Sequence, residues 1–315
     1  MKLQNTAIIP RLSICVAMTL WASSFVAMKF AIVAFSPMLV VFFRMLVASI
    51  IVLTQWHRIE VFKIPRHHWK SFFILVLCEP VLLFVFEAHA LKYTTASQAG
   101  MICSLVPVFV AAGSYVLYRE KQSRQVWAGF IIAICGVALL SMKSIATEQA
   151  PDPLLGNFFE MLAMLSATGY ILTAKRLCAS YSAFTLTALQ SWIGAFFFLP
   201  MFLLSGETLP TTVQPEAVLA ILYLGSAVSF GAYLFYNYGL RQIPAAQASA
   251  YGNLIPVIAL GLGHLVLSES LTMLQYGACV FVLCGVWLSQ RSETVLEEPE
   301  VFDGEKQSEL LKEEV

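Results

Sequence analysis

The sequence predicts an all-α membrane protein: ten transmembrane helices in two inverted five-helix repeats, with both termini on the cytoplasmic side. Three observations lead there. The first is composition. Of 315 residues, 59% are hydrophobic and 12% charged, and mean hydropathy is +0.77, leaving too little polar surface to coat a soluble globule of this size. The second is duplication. Residues 91–139 recur in residues 240–288 without a gap, so that Gln98/Gln247, Pro107/Pro256, Glu120/Glu269 and Gly136/Gly285 coincide. Shared hydrophobicity explains matching Leu and Val, but not Gln, Pro, Glu and Gly falling together at one offset. The third is the distribution of basic residues.

A bilayer span needs about 20 apolar residues. Segments near 12–33, 38–56, 69–90, 96–117 and 125–142 qualify in the first half, and 156–177, 183–204, 216–238, 245–267 and 273–290 in the second. Ser36-Pro37, Pro65, Pro151-Asp152-Pro153, Ser205-Gly206 and Pro215 punctuate them as short surface turns. The run from Leu12 is too long for a signal peptide and lacks a clear cleavage site, so it reads as the first span.

With the N-terminus inside, Lys2, Arg11, Arg58, Lys63, Arg66, Lys70, Arg119, Lys121, Arg124, Lys175, Arg176, Arg241 and Arg291 all fall on the cytoplasmic side. Only Lys92 and Lys143 fall outside. An odd number of spans per half makes the halves insert with opposite orientation, as in secondary transporters, whose sites lie near the midplane between repeats. The expected division is 1–146 for the first repeat, 147–291 for the second, and an acidic, disordered cytoplasmic tail over 292–315.

Several functions are excluded. The formal charge is zero, so no basic field calls for nucleic acid. The seven cysteines stand singly in apolar runs without CxxC or Cys/His spacing, so neither a metal nor a cofactor is expected. His57, His67, His68, His89 and His264 sit in no catalytic constellation, so no catalytic residue is assigned and an intramembrane enzyme is disfavoured.

WASSFVAMK in the first span, FFRMLVA in the second, ALKYTTASQAGMICSLVPVF running to YREK, and GLRQIPAAQASAYGNLIPV running to LSES resemble the drug/metabolite transporter superfamily, EamA branch. The resemblance covers residues 12–290. It implies ten helices around a central cavity, alternating access, and export or exchange of amino acids or related metabolites across a bacterial inner membrane, with a multidrug carrier or a channel as alternatives. The small four-span multidrug relatives use a membrane-embedded Glu in their first helix. This chain has Lys29 there and no acid.

Read physically, Pro107 and Pro256 sit mid-span, where each removes an N–H and frees the carbonyl one turn back, at Cys103 and Gly252. Bilayers tolerate such groups only where protein or a water-filled cavity satisfies them, so helices 4 and 9 are expected to bend toward the centre. Gln98 and Gln247 lie near the starts of those helices, at opposite membrane faces, with hydrogen bonding and solute contact both open to them. Glu120 and Glu269 lie about 33 Å further along by helical rise, at the membrane edge, which favours an ion pair or a helix-end contact. Gly129, Gly136, Gly277 and Gly285 read as small-residue packing between helices or between protomers of a homodimer.

Ionisable groups deep in a bilayer are functional hypotheses by default. Glu79 stands about 15 Å into helix 3 by helical rise, and Pro80 follows it. It is the expected proton-coupling acid or anchor for a solute ammonium, with no partner evident at its depth. Lys29, Arg44 and Glu87 share the outer third, where Glu87 is expected to pair with Arg44 or Lys29. Trp21, Ser24, Tyr170, Trp192, Tyr233, Tyr236 and Asn237 complete a candidate lining, set against plain aromatic packing.

Overall fold

The computed structural model describes residues 8–59, 64–119, 122–142, 144, 146–204 and 214–290, and every regular element in it is helical. In chain order the helices are α1 (Ile8–Ala34), α2 (Pro37–Leu53), α3 (Arg66–Tyr93), α4 (Ala96–Leu117), α5 (Arg124–Met142), α6 (Pro153–Ser180), α7 (Ala183–Leu204), α8 (Pro215–Gln242), α9 (Gln247–Leu267) and α10 (Met273–Gln290). Among the described residues nine are long and apolar enough to cross a membrane, and α2, equally apolar, has 17 residues. Val33, Val116, Phe196, Leu204 and Leu265 turn outward, as lipid-facing residues of an integral membrane protein do. Glu120 and the segment 292–315 lie outside the described residues, as do Lys2, Lys63, Lys121, Lys143 and Arg291.

Local chemistry starts and stops the helices. Proline opens α2, α6 and α8, where its missing N–H costs nothing. Ser36, Thr95 and Asp152 cap α2, α4 and α6 by accepting from the N–H of Leu39, Gln98 and Leu155. The ends of α4 and α9 repeat one another: Arg119 and Ser268 take left-handed conformations, with φ of 57° and 55°.

The duplication persists inside the helices. α4 tightens to a 3₁₀ turn at Cys103–Leu105 and α9 at Tyr251–Asn253, and an α-helix resumes with proline in its first turn. That is where a proline ring can be housed without losing a further hydrogen bond. α3 and α8 widen to π-type turns at Leu77–Leu82 and Leu224–Ala232. In α3 the break centres on Glu79, with φ −151° and ψ 120°, followed by a cis peptide to Pro80.

The most extensive contacts cross between repeats: α5 with α10, α2 with α7, α4 with α9, and α3 with α6 as α8 with α1. The halves therefore interlock and share one core. At the α5–α10 seam, a Cβ on Gly129 would meet the Gly285 carbonyl and, at 2.6 Å, the Ser289 nitrogen, while one on Gly136 would meet Val282 Cγ2 at 2.7 Å. These glycines let two helices of one chain touch backbone to backbone. A Cβ on Gly277 would meet nothing within 4 Å, so Gly277 is not part of that seam.

Candidate functional site

A cavity of about 80 Å³ lies between the repeats, lined by both. Four pairs of α3/α8 and α4/α9 related by the 149-residue offset face it: Phe84/Tyr233, Glu87/Tyr236, Cys103/Gly252 and Val106/Ile255. Both repeats thus line the cavity with matching positions, and the two residues whose carbonyls the prolines were expected to free both border it.

Six aromatic side chains stand in the wall: Trp21, Phe25, Phe84, Tyr170, Tyr233 and Tyr236. Trp21 lies 5.3 Å from Tyr233 and 4.9 Å from Tyr236, and Tyr170 lies 6.0 and 6.1 Å from the same two rings. Asn237 stands behind this wall. Its Oδ1 accepts from the Tyr170 hydroxyl at 2.7 Å, and its Nδ2 donates to Thr187 Oγ1 at 3.2 Å. Ser24 lines the cavity while donating to the Trp21 carbonyl at 2.6 Å. Trp192 packs elsewhere, in a small cluster with Val52, Phe184 and Ala188.

One basic and two acidic side chains enter this largely apolar chamber: Arg44, Glu79 and Glu87. Arg44 is 2% exposed, its Nη1 stands 3.8 Å from Glu87 Oε1, its Nε donates to Ser229 Oγ at 2.8 Å, and its guanidinium covers the Phe84 ring at 4.2 Å. Glu79 is also 2% exposed, and its Oε1 has no hydrogen-bond partner among the described residues. From the sequence no partner for Glu79 is evident at its depth; the structure places Arg44 in the same chamber. The long Arg44 side chain, ion-paired to Glu87, brings its charge into the chamber that Glu79 also lines. Buried carboxylates are costly, and Glu79, at the break in α3, lines both this chamber and a small pocket with Met45, Gln190 and Ser229.

The remaining candidates lie away from the chamber. Lys29 donates to the Gln149 carbonyl at 2.7 Å and lines a separate cleft of about 720 Å³ with Phe35, Leu91, Lys92 and Leu267. Gln98 is buried, accepting from Ser144 Oγ at 2.7 Å and Asn157 Nδ2 at 2.8 Å. Gln247 is exposed. Glu269 crosses between repeats to hold the start of α4, accepting from the N–H groups of Ala96 and Ser97 at 2.9 Å and from Ser97 Oγ at 2.6 Å. One acid escaped sequence reasoning altogether. Glu160 on α6 is 0% exposed. Its signal was an acid in an apolar span, muted because α6 begins at Pro153 rather than near 156, which places Glu160 deeper than the sequence implied.

The profile of the EamA-like transporter family matches residues 9–142 and again residues 154–290. The chain belongs to the EamA-like transporter family. It is a membrane transporter, similar to an uncharacterized transporter of Archaeoglobus fulgidus at 27% identity over 88% of this chain and 96% of that one. The uncharacterized transporter YetK of Bacillus subtilis is 26% identical over 88% of this chain and 85% of its own length. Protein PecM of Dickeya dadantii is 26% identical over 86% and 88%. A solved crystal structure shares the transporter's fold with a TM-score of 0.67 at 17% identity, covering 91% of this chain and 99% of that one.

Proposed function

We propose that this EamA-family transporter carries amino acids or related small zwitterions, exporting or exchanging them by alternating access through the chamber between its repeats. The carrying observation is a guanidinium and a carboxylate in one aromatic chamber, Arg44 with Glu79, whose Oε1 has no hydrogen-bond partner among the described residues. A solute ammonium fits Glu79 and the faces of Trp21, Tyr233 and Tyr236. A solute carboxylate fits the planar fork of Arg44. The chamber's 80 Å³ is smaller than the roughly 300–1,000 Å³ typical of drug-sized sites, so helices must part to admit a solute. The breaks in α3, α4, α8 and α9 supply bending points next to it. The same aromatic lining supports a second reading, a carrier of flat organic cations.

In this reading all ten helices cross a bacterial inner membrane as inverted repeats, with both termini cytoplasmic, and Glu79 couples flux to protons or anchors the solute. A panel of amino acids, dipeptides and cationic dyes tested for exchange in proteoliposomes, with imposed proton and sodium gradients, decides it. Saturable, trans-stimulated exchange of a zwitterion that weakens in Glu79→Gln is the expected result. Exchange of dyes alone, or wild-type affinity, flux and pH dependence in Glu79→Gln, rejects it.

A further inference from the structure

Glu79 Oε1, an acceptor, and Gln190 Nε2, a donor, are both enclosed and have no hydrogen-bond partner among the described residues. Both side chains line one pocket of about 10 Å³, at the lower end of the roughly 10–15 Å³ that a buried water occupies. α3 of the first repeat brings Glu79, and α7 of the second brings Gln190. The far end of the Gln190 amide is held: its Oε1 accepts from Asn237 Nδ2 at 3.4 Å, and Asn237 Oδ1 accepts from the Tyr170 hydroxyl at 2.7 Å. Nε2 carries two N–H groups. The Tyr170 oxygen, which stands near the amide, can engage one of them, and the other is left for the pocket.

Two hydroxyl groups also line the pocket. Ser229 Oγ accepts from Arg44 Nε at 2.8 Å and keeps its own O–H to donate, while Ser191 Oγ donates to the Thr187 carbonyl at 2.9 Å and keeps lone pairs to accept. This set suits a molecule that both donates and accepts. A cation would need acceptors all round, whereas Gln190 offers a donor and the guanidinium on Ser229 already sets a positive charge at the pocket's edge.

We propose that this pocket binds one water molecule, and that Gln190 is a positioning residue that holds Glu79 through it. The water accepts from Gln190 Nε2 and the Ser229 O–H and donates to Glu79 Oε1 and Ser191 Oγ, the two to four partners a buried water takes. A hydrogen-bonded chain then runs from Tyr170 through Asn237, Gln190 and the water to Glu79, and both of its ends line the chamber. It ties the break in α3 to the second repeat and fixes the angle at which the carboxyl group meets a solute. The inference rests on the zwitterion reading only for what Glu79 meets in the chamber, and its test separates the two.

The site is tested by a structure of the full-length protein at a resolution that shows ordered water, in sodium buffer and in sodium-free potassium buffer. Expected in both is one peak about 2.7–3.2 Å from Gln190 Nε2 and from Glu79 Oε1, lost in Gln190→Met together with the Glu79 rotamer. No peak, a direct contact between the two side chains, or a peak that requires sodium overturns the water site. An unmoved Glu79 in Gln190→Met overturns the positioning role. Alanine exchange in proteoliposomes, with deaminated alanine (propionate) as competitor, reads the consequence. In Gln190→Met the KM for alanine should rise about tenfold, the scale of one hydrogen bond, with inhibition by propionate unchanged and no further loss in a Glu79→Gln background. Equal weakening of alanine and propionate, or losses that add in full to those of Glu79→Gln, reduces Gln190 to a packing residue. If wild type exchanges no alanine, the zwitterion reading fails for that solute by itself, and the peak and the Glu79 rotamer decide the inference.

Discussion

The carboxylate of Glu269, just past the end of α9, accepts from the backbone N–H of Ser97, at the start of α4, at 2.9 Å. The left-handed turn at Ser268 folds the chain back so that Glu269 can reach, and Gly263 leaves room, since a Cβ there would come within 2.7 Å of Glu269 Oε2. A carboxylate at a helix N-terminus satisfies orphan donors and the helix dipole together. Here the cap belongs to the other repeat, so it ties the two halves on one membrane face. Glu269→Ala should cost about 1 kcal/mol as a lost cap and should favour opening of that face. Faster modification of Ser97→Cys by an impermeant thiol reagent in the Glu269→Ala background is expected. An unchanged rate leaves Glu269 as a stabilising contact alone.

Arg44 and Glu87 should fail singly and recover together in folding. Removing one partner of a buried pair typically costs about 3–5 kcal/mol because it strands the other charge. Arg44→Met is therefore expected to lower the detergent melting temperature, and adding Glu87→Leu to restore most of it. Transport should stay lost in the double variant, since the guanidinium is gone. Transport equal to wild type in the double variant would falsify a solute-binding role for Arg44.

The glycines separate by position. Gly129→Val places its side chain against the backbone of α10, an overpacking expected to cost about 1–3 kcal/mol. Gly277→Val meets open space, and its yield and melting temperature should match wild type. Equal losses in both would show that the α5–α10 seam is not where stability is held.

Pro107→Ala and Pro256→Ala should insert normally and transport poorly, because each allows the 3₁₀ break at Cys103–Leu105 or Tyr251–Asn253 to straighten into α-helix. Initial-rate flux normalised to membrane protein measures this. Wild-type flux in both variants would make the prolines packing features.

The orientation is checked by single cysteines in a background lacking the native ones. Glu148→Cys should react with impermeant reagent added outside, and Gln122→Cys only after the membrane is made permeable, as the bias of Lys and Arg toward one side requires. The reverse pattern inverts the assignment.

The sequence by itself settled the membrane class, the helix order and the duplication, because each is written in contiguous residues. Apolar runs of bilayer length need no tertiary information, and Pro107 matching Pro256 marks both bends wherever the helices go. The chemistry of the chamber was legible only as a set of residue types. Trp21, Tyr170, Tyr233, Tyr236 and Glu79 were identifiable as an apolar chain's polar and aromatic exceptions, but their meeting depends on helices from both repeats crossing at one depth. Tertiary structure alone decided that Arg44 reaches the chamber of Glu79, that Gln98 is consumed by Ser144 and Asn157, and that Glu269 caps a helix 172 residues away in sequence. The reason is geometric. Depth along a helix follows from counting residues, whereas the direction a side chain faces around that helix is fixed by its neighbours, and those belong to the other repeat.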